Sequence, residues 1–208
     1  MSLLFIFDMD DVLYDYDYRE RMAGLTELTG LSFEQLRERW WHDDGETRAE
    51  AGGFDADGYL RAFNAALGVE VSEADWVRIR GGAMRPWADS IAAVERAAEL
   101  GQVTLLTNNG PLSARHIATL ASELVPVFGE HLFTSSDYGA RKPDPEVFQA
   151  VLDRYGVPAS DAFFADDLET NVAGARSVGI TAHRFTDATS LRAAIEEFAA
   201  AHAARDER

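Results

Sequence analysis

Four short stretches of this chain carry side chains that could do chemistry together. In FDMDDVL, Asp8 and Asp10 stand two residues apart where an apolar run ends. Side chains of an extended segment alternate between faces, so positions i and i+2 point the same way and two carboxylates converge on one point. Such a pair suits a nucleophile beside a proton donor, or a metal site, and in so acidic a chain it also suits a solvated loop. Thr107-Asn108-Asn109-Gly110-Pro111 follows the run VTLLT and precedes a helical stretch. A hydroxyl and backbone N–H groups at a helix N-terminus bind anions, although the same residue types make ordinary capping turns. Arg141-Lys142-Pro143-Asp144-Pro145 holds the single lysine of a chain with 18 arginines. A lysine placed in a proline-braced turn, where arginine serves at every other basic position, points to a need for a compact point charge. Asp166 and Asp167 close the run AFFA, with Asn171 in the following turn. Adjacent carboxylates at a buried strand end repel unless a cation compensates. Mg²⁺ is the expected cation, because it is held by one or two carboxylates together with phosphate oxygens and waters. A helix cap accounts for only one of the two acids.

These residues need a frame that brings them to one edge. Continuous apolar runs at 3–7, 103–107, 162–165 and 180–185, with a weaker one at 131–134, read as strands of a buried parallel sheet. Helical stretches at 89–100, 112–121, 145–155, 170–178 and 190–204 alternate with them. Single helices between strands predict right-handed crossovers and a doubly wound α/β fold, in which ligands bind at the carboxyl ends of the strands. Asp8, Thr107 and Asp166 all fall at such ends. Residues 15–85 break the alternation: apolar residues recur at helical spacing with no convincing strand, which predicts an all-helical insertion into a core made of 1–14 and 86–208.

With 36 acidic and 19 basic residues, the formal net charge is −17, which repels nucleic acid and anionic lipid and argues against either as a partner. The absence of cysteine excludes disulfides, zinc–thiolate sites and thiol nucleophiles. The five histidines are too scattered to read as ligands. The N-terminal segment MSLLFIFDMD reads as neither signal peptide nor membrane span, so a cytoplasmic location is expected.

Taken in order, FDMD, LLTNNG, RKPDPEVF and FFADDLETNVAGA resemble the four motifs of the haloacid dehalogenase-like hydrolases. The resemblance covers the whole chain, and residues 15–85 resemble that family's small helical cap. Within the family the likeness is greatest to small sugar phosphatases acting on hexose 1-phosphates. The resemblance implies a Mg²⁺-dependent phosphomonoesterase working through an aspartyl phosphate on a small phosphorylated metabolite, as a monomer or homodimer. Asp8 would be the nucleophile, and Asp10 the general acid and base with its backbone carbonyl on the metal. Thr107, Asn108 and Lys142 would hold the phosphoryl group. Asp8, Asp10 and Asp167 would hold Mg²⁺ directly, with Asp166 acting through water, and Asn171 matches a position that is often Asp. Three carboxylates and a phosphate dianion against one lysine also call for a divalent cation, since each like pair near 4 Å costs on the order of 4 kcal/mol at an effective dielectric of 20.

Two features depart from the family pattern. Asp11 and Val12 stand where Gly and Thr are usual, so the extra carboxylate must turn outward, meet the metal through water, or lower activity. The acidic, aromatic Asp15-Tyr16-Asp17-Tyr18 stretch reads as a solvated hinge with tyrosines packed on the cap. Trp40, Trp41, His42 and a loop from Glu46 to Phe54 are equally explicable as packing or as substrate contacts. Of the other activities on this fold, haloacid dehalogenation needs neither Asp10 nor a metal pair, and phosphonoacetaldehyde hydrolysis needs a cap lysine that this chain lacks. A phosphomutase would share the same core residues, while a non-catalytic binding module would have no use for both nucleophile and acid.

Overall fold

The computed structural model describes residues 3–206. The chain begins with β1 (Leu3–Phe7), five apolar residues that are all buried. Odd positions face one way and even positions the other, so both sides of β1 must be covered. After a tight turn, β2 (Tyr14–Tyr16) leads to α1 (Tyr18–Thr29), which is capped by the Asp17 carboxylate accepting from the N–H groups of Arg19 and Glu20. α2 (Phe33–Leu36) opens on a Ser32/Gln35 capping box and runs on into a wide turn, Arg37–Trp41, closed by His42 N–H donating to the Arg37 carbonyl five residues back. α3 (Gly45–Glu50), α4 (Ala56–Leu67) and α5 (Glu73–Gly82) follow, and β3 (Met84–Pro86) pairs antiparallel with β2.

The remaining chain alternates as expected. α6 (Ala88–Leu100) precedes β4 (Gly101–Thr107); α7 (Pro111–Leu120) and the short α8 (Val125–Phe128) precede β5 (Leu132–Thr134). α9 (Pro145–Tyr155) leads to β6 (Ala162–Asp166), α10 (Glu169–Ser177) to β7 (Thr181–Arg184), and α11 (Ala188–Asp206) ends the described chain.

The five strands expected from the apolar runs form one parallel sheet in the order β5-β4-β1-β6-β7. Phe5 and Phe7 pack on one face with Phe128, Phe163 and Phe198, among residues of α6 and α11. Leu4 and Ile6 pack on the other with Val147, Phe148 and Val151 of α9 and Ala175 of α10. From β1 the chain crosses first toward β4 and β5 and later toward β6 and β7, so the strand order reverses at β1 and a crevice opens at its carboxyl end.

The insertion departs from the expected all-helical form in one respect: it is entered and left by the β2–β3 pair. Each strand is only three residues long, too short to show an alternation in YDY or MRP. Among the described residues no helix is long and apolar enough to cross a membrane.

Candidate active site

Asp8 lies one residue past β1, its N–H donating to the Ala165 carbonyl of neighbouring β6 at 3.0 Å. The two strands therefore deliver Asp8 and Asp166 side by side. The ammonium of Lys142 lies between them, 2.8 Å from Asp8 Oδ1 and 2.7 Å from Asp166 Oδ2, with its side chain fully buried. Asp166 Oδ1 also accepts from Leu168 N–H and the Asn171 amide, and that amide reaches Oδ2 as well. Both oxygens of Asp166 are thus engaged by protein donors. Asp167, one residue past β6, is half-buried. One oxygen each from Asp8, Asp166 and Asp167 lies within 4.8 Å of the others, the one such group of potential metal ligands among the described residues. An all-oxygen set of this kind fits a hard divalent cation such as Mg²⁺.

The electrostatics mark the same spot. Burial pushes the Asp8 carboxyl well above its ordinary range, and Asp166 adds to the push while Lys142 opposes it. Burial and the nearby Asp166 raise Asp167 to about 6. For Lys142, desolvation alone would lower the pKa, but Asp8 and Asp166 outweigh it and the ammonium is held charged. A cluster with more carboxylates than cations is short of positive charge.

The turn carrying Lys142 is clamped by Asn108. The Asn108 amide donates to the Lys142 carbonyl at 2.9 Å, and Lys142 N–H donates back to Asn108 Oδ1 at 2.9 Å. The Asn108 side chain expected to meet an anion is therefore committed to holding the lysine. Thr107 is buried, its hydroxyl accepting from the Asn109 amide, while Asn109 Oδ1 accepts from Ser113 on the first turn of α7. Gly110 and Pro111 start α7 as expected, with Pro at a position that has no intrahelical N–H bond to lose.

Asp11 adopts φ +58°, the left-handed region that glycine enters at no cost and that Asp tolerates better than most residues. This explains why glycine is usual at that position. The Asp11 side chain is exposed and accepts from Tyr16 N–H at 3.4 Å, so it turns outward along the hinge. Val12 is fully buried in the core, where a threonine hydroxyl would need a partner.

Asp10, at an isolated bridge to Tyr14, is bound by Arg80 from the last turn of α5. Arg80 Nη2 lies 2.8 Å from Oδ1 and 2.7 Å from Oδ2, and its guanidinium carbon sits 4.0 Å over the Tyr16 ring. Sequence reading missed this residue. Its signal is faint, because an arginine in DWVRIRGG reads as solvent-exposed and its partner is 70 residues away.

Above Asp10 is a cleft of about 210 Å³ between the sheet edge and the inserted helices. Tyr16, Tyr18 and Trp41 contribute its aromatic walls, and Arg21, Glu46, Thr47, Glu50 and Arg141 its polar ones. The expected loop from Glu46 is helical as far as Glu50, because α3 starts afresh at Gly45 after the left-handed Asp44. The wide turn at 37–41 separates the two tryptophans: Trp40 is buried against Phe54, Tyr59 and Phe63, whereas Trp41 faces the cleft. Trp40 Nε1 and Tyr59 OH both donate to Glu46 Oε2, fixing that carboxylate in the wall. Arg141 Nε donates to Glu50 at 2.7 Å. Burial, with Glu46 nearby, nevertheless pushes Glu50 up to about 7.

Known proteins resemble this chain in sequence and in fold. Residues 3–179 match the family model described as haloacid dehalogenase-like hydrolase. Phosphatase MT3486 of Mycobacterium tuberculosis is 32% identical over 190 residues, covering 86% of this chain and 84% of the relative. Sesquiterpene phosphatase AstK of Aspergillus oryzae is 26% identical over 184 residues, covering 88% and 89% respectively. Among solved structures, the HAD family enzyme BT-2542 of Bacteroides thetaiotaomicron, in complex with magnesium and inorganic phosphate, superposes with a TM-score of 0.76 at 20% identity, over 89% of this chain and 95% of that one. The L-2-haloacid dehalogenase of Xanthobacter autotrophicus gives a TM-score of 0.61 at 19% identity, over 88% and 77%. At such identities the structural likenesses establish the fold alone. The family match, the Mycobacterium relative and the fold agree, and this chain belongs to the haloacid dehalogenase-like hydrolases.

Proposed function

We propose that this enzyme is a Mg²⁺-dependent phosphomonoesterase acting on a small phosphorylated metabolite, and that residues 15–85 form its cap. The observation that carries the reading is the buried Asp8–Lys142–Asp166 triad with Asp167 beside it. Asp8 presents a carboxylate oxygen for in-line attack on phosphorus. Asp10 gives a proton to the departing alkoxide and later takes one from the water that cleaves the aspartyl phosphate. Lys142 holds the charge of Asp8 and the transferring phosphoryl oxygens, and Thr107 with the backbone N–H groups that follow it receives the phosphate at the start of α7. Asp8, Asp167 and the Asp10 carbonyl would ligate Mg²⁺, with Asp166 acting through water because its oxygens already take protein hydrogen bonds. When bound, the ion offsets the negative charge of carboxylates and phosphate during transfer.

The phosphatase names of the relatives support this reading, as does the magnesium and phosphate in BT-2542. A cleft lined by both donors and acceptors suits a hydroxylated substrate, and a sugar phosphate is the class favoured. Phosphate release from a panel of phosphorylated metabolites should require Mg²⁺, stop with chelator, and vanish in Asp8→Asn. Chloride release from a 2-haloacid in metal-free buffer, or turnover by Asp8→Asn, overturns the proposal; a bisphosphate-activated isomerisation moves it to a mutase.

A further inference from the structure

Arg80 is 1% exposed, yet it makes no hydrogen bond to the backbone around it. Its Nη2 gives both of its contacts to the two oxygens of Asp10, while Nε and Nη1 are buried without a hydrogen-bond partner. A buried arginine serving only the fold would spend its donors on carbonyls, since each unsatisfied donor is costly. This one leaves two nitrogens unpaired and serves a single carboxylate. Tyr16, the last residue of β2, supports the guanidinium from below at 4.0 Å, and the Tyr16 hydroxyl is itself held by Arg21 Nη1 at 3.2 Å. The Asn109 amide approaches Asp10 Oδ2 at 3.5 Å from the core side. The carboxylate is thus set between a core amide and a cation carried by the inserted helices.

We propose that Arg80 is a positioning residue for proton transfer, acting through Asp10; this rests on the phosphomonoesterase reading above. In the first step an Asp8 oxygen bonds to phosphorus, the bond to the ester oxygen breaks with its electron pair on that oxygen, and the proton of Asp10 moves to it. Negative charge therefore grows on the Asp10 carboxylate as the reaction proceeds. In the second step the Asp10 carboxylate takes a proton from water as the water oxygen bonds to phosphorus and the bond to Asp8 breaks. A guanidinium fixed against the carboxylate on one side, with the Asn109 amide on the other, holds Asp10 in one orientation, toward the ester oxygen in the first step and toward water in the second, so it favours the steps in which that proton must be placed. Because Arg80 sits on α5, the acid acquires this partner only when the insertion is packed over the sheet edge.

The contribution of an acid depends on the leaving group. An alkoxide needs the proton, and a nitrophenolate leaves at neutral pH without it. Wild type and Arg80→Met are assayed with Mg²⁺ on p-nitrophenyl phosphate and on glycerol phosphate. Absence of wild-type turnover on both esters defeats the phosphatase reading itself. Otherwise kcat/KM of Arg80→Met, which reports the first step and not the hydrolysis common to both esters, should fall at least about 100-fold on the alkyl ester and less than about fivefold on the aryl ester, the size expected for general acid catalysis. In an Asp10→Asn background, Arg80→Met should change alkyl-ester turnover by less than about twofold, because the group it acts through is already gone. Arg80→Lys keeps a cation in the buried site and guards against loss of folding. It should lower the ratio of alkyl to aryl kcat/KM at least about fivefold, since an ammonium on a shorter stem cannot lie flat on Tyr16 while meeting both Asp10 oxygens. Equal losses on both esters, additive losses in the double variant, or a wild-type ratio in Arg80→Lys would reduce Arg80 to a structural residue and overturn the proposal.

Discussion

Replacing Lys142 by Met removes one charge from the most buried ionic cluster of the protein while nearly preserving side-chain volume. The ammonium lies 2.8 and 2.7 Å from Asp8 and Asp166, contacts worth about 6 kcal/mol each at an effective dielectric of 20. Without it the two carboxylates, with oxygens within 4.8 Å, repel by at least about 3 kcal/mol in the same medium. Those gross terms overstate the effect, because the variant has an escape: Asp8, already raised by burial, takes up a proton. For a carboxyl of ordinary pKa about 4, protonation costs about 4 kcal/mol at pH 7 and about 1.4 kcal/mol at pH 5. That cost sets the scale of the penalty and agrees with the 3–5 kcal/mol typical of a broken buried pair. In the variant the folded state binds a proton that the unfolded state gives up above pH 4. Stability is thus present at low pH and lost as pH rises, and the penalty shrinks on acidification. Urea denaturation with chelator present, at pH 5 and pH 7, measures it. The penalty should be about 4 kcal/mol at pH 7 and smaller at pH 5, an order-of-magnitude expectation. A penalty below about 1 kcal/mol at pH 7, or one that does not vary with pH, would refute the argument that Lys142 neutralises this pair.

Two further outcomes follow from the site's surroundings. Glu50, raised from 4.5 to about 7 mainly by burial, favours the folded state while protonated; stability from it is present below about 4.5 and lost as pH rises to about 7, up to roughly 3 kcal/mol. Glu50→Gln should abolish that slope, and a wild-type-minus-variant stability difference that stays flat between pH 4.5 and 8, at about the precision of denaturant titration, contradicts the assignment. Gly174 lies in α10, where alanine would ordinarily gain up to about 1 kcal/mol of helix propensity. A Cβ there would run into the Pro143 carbonyl and lie 3.0 Å from Phe148, so Gly174→Ala should instead lose about 1–3 kcal/mol and slow turnover by displacing the Lys142 turn. A rise in thermal midpoint would show that the turn yields freely.

The parts of this site that sequence reading reaches are those with a local chemical reason. Asp8, Thr107 and Asp166 end strands whose apolar runs are long enough to identify, and a parallel sheet puts all such ends on one edge. Lys142 stands out because arginine is used everywhere else. The β2–β3 pair is invisible because three residues show no period, and the left-handed turn at Asp11 because aspartate, unlike glycine, does not advertise it. Asn108 reads as an anion ligand by type, but its amide clamps a turn 34 residues away. Arg80 and Arg21 share that difficulty more strongly. On their own helices they fit a solvated face, and only the packing of the insertion over the sheet edge buries them at the cleft. Long-range ionic pairing has no period and no composition signature, so a buried arginine is seen only once its partner is placed. The strand ends thus mark where the carboxylates gather, while Arg80 and Arg21, carried on α5 and α1, lie outside the four motifs.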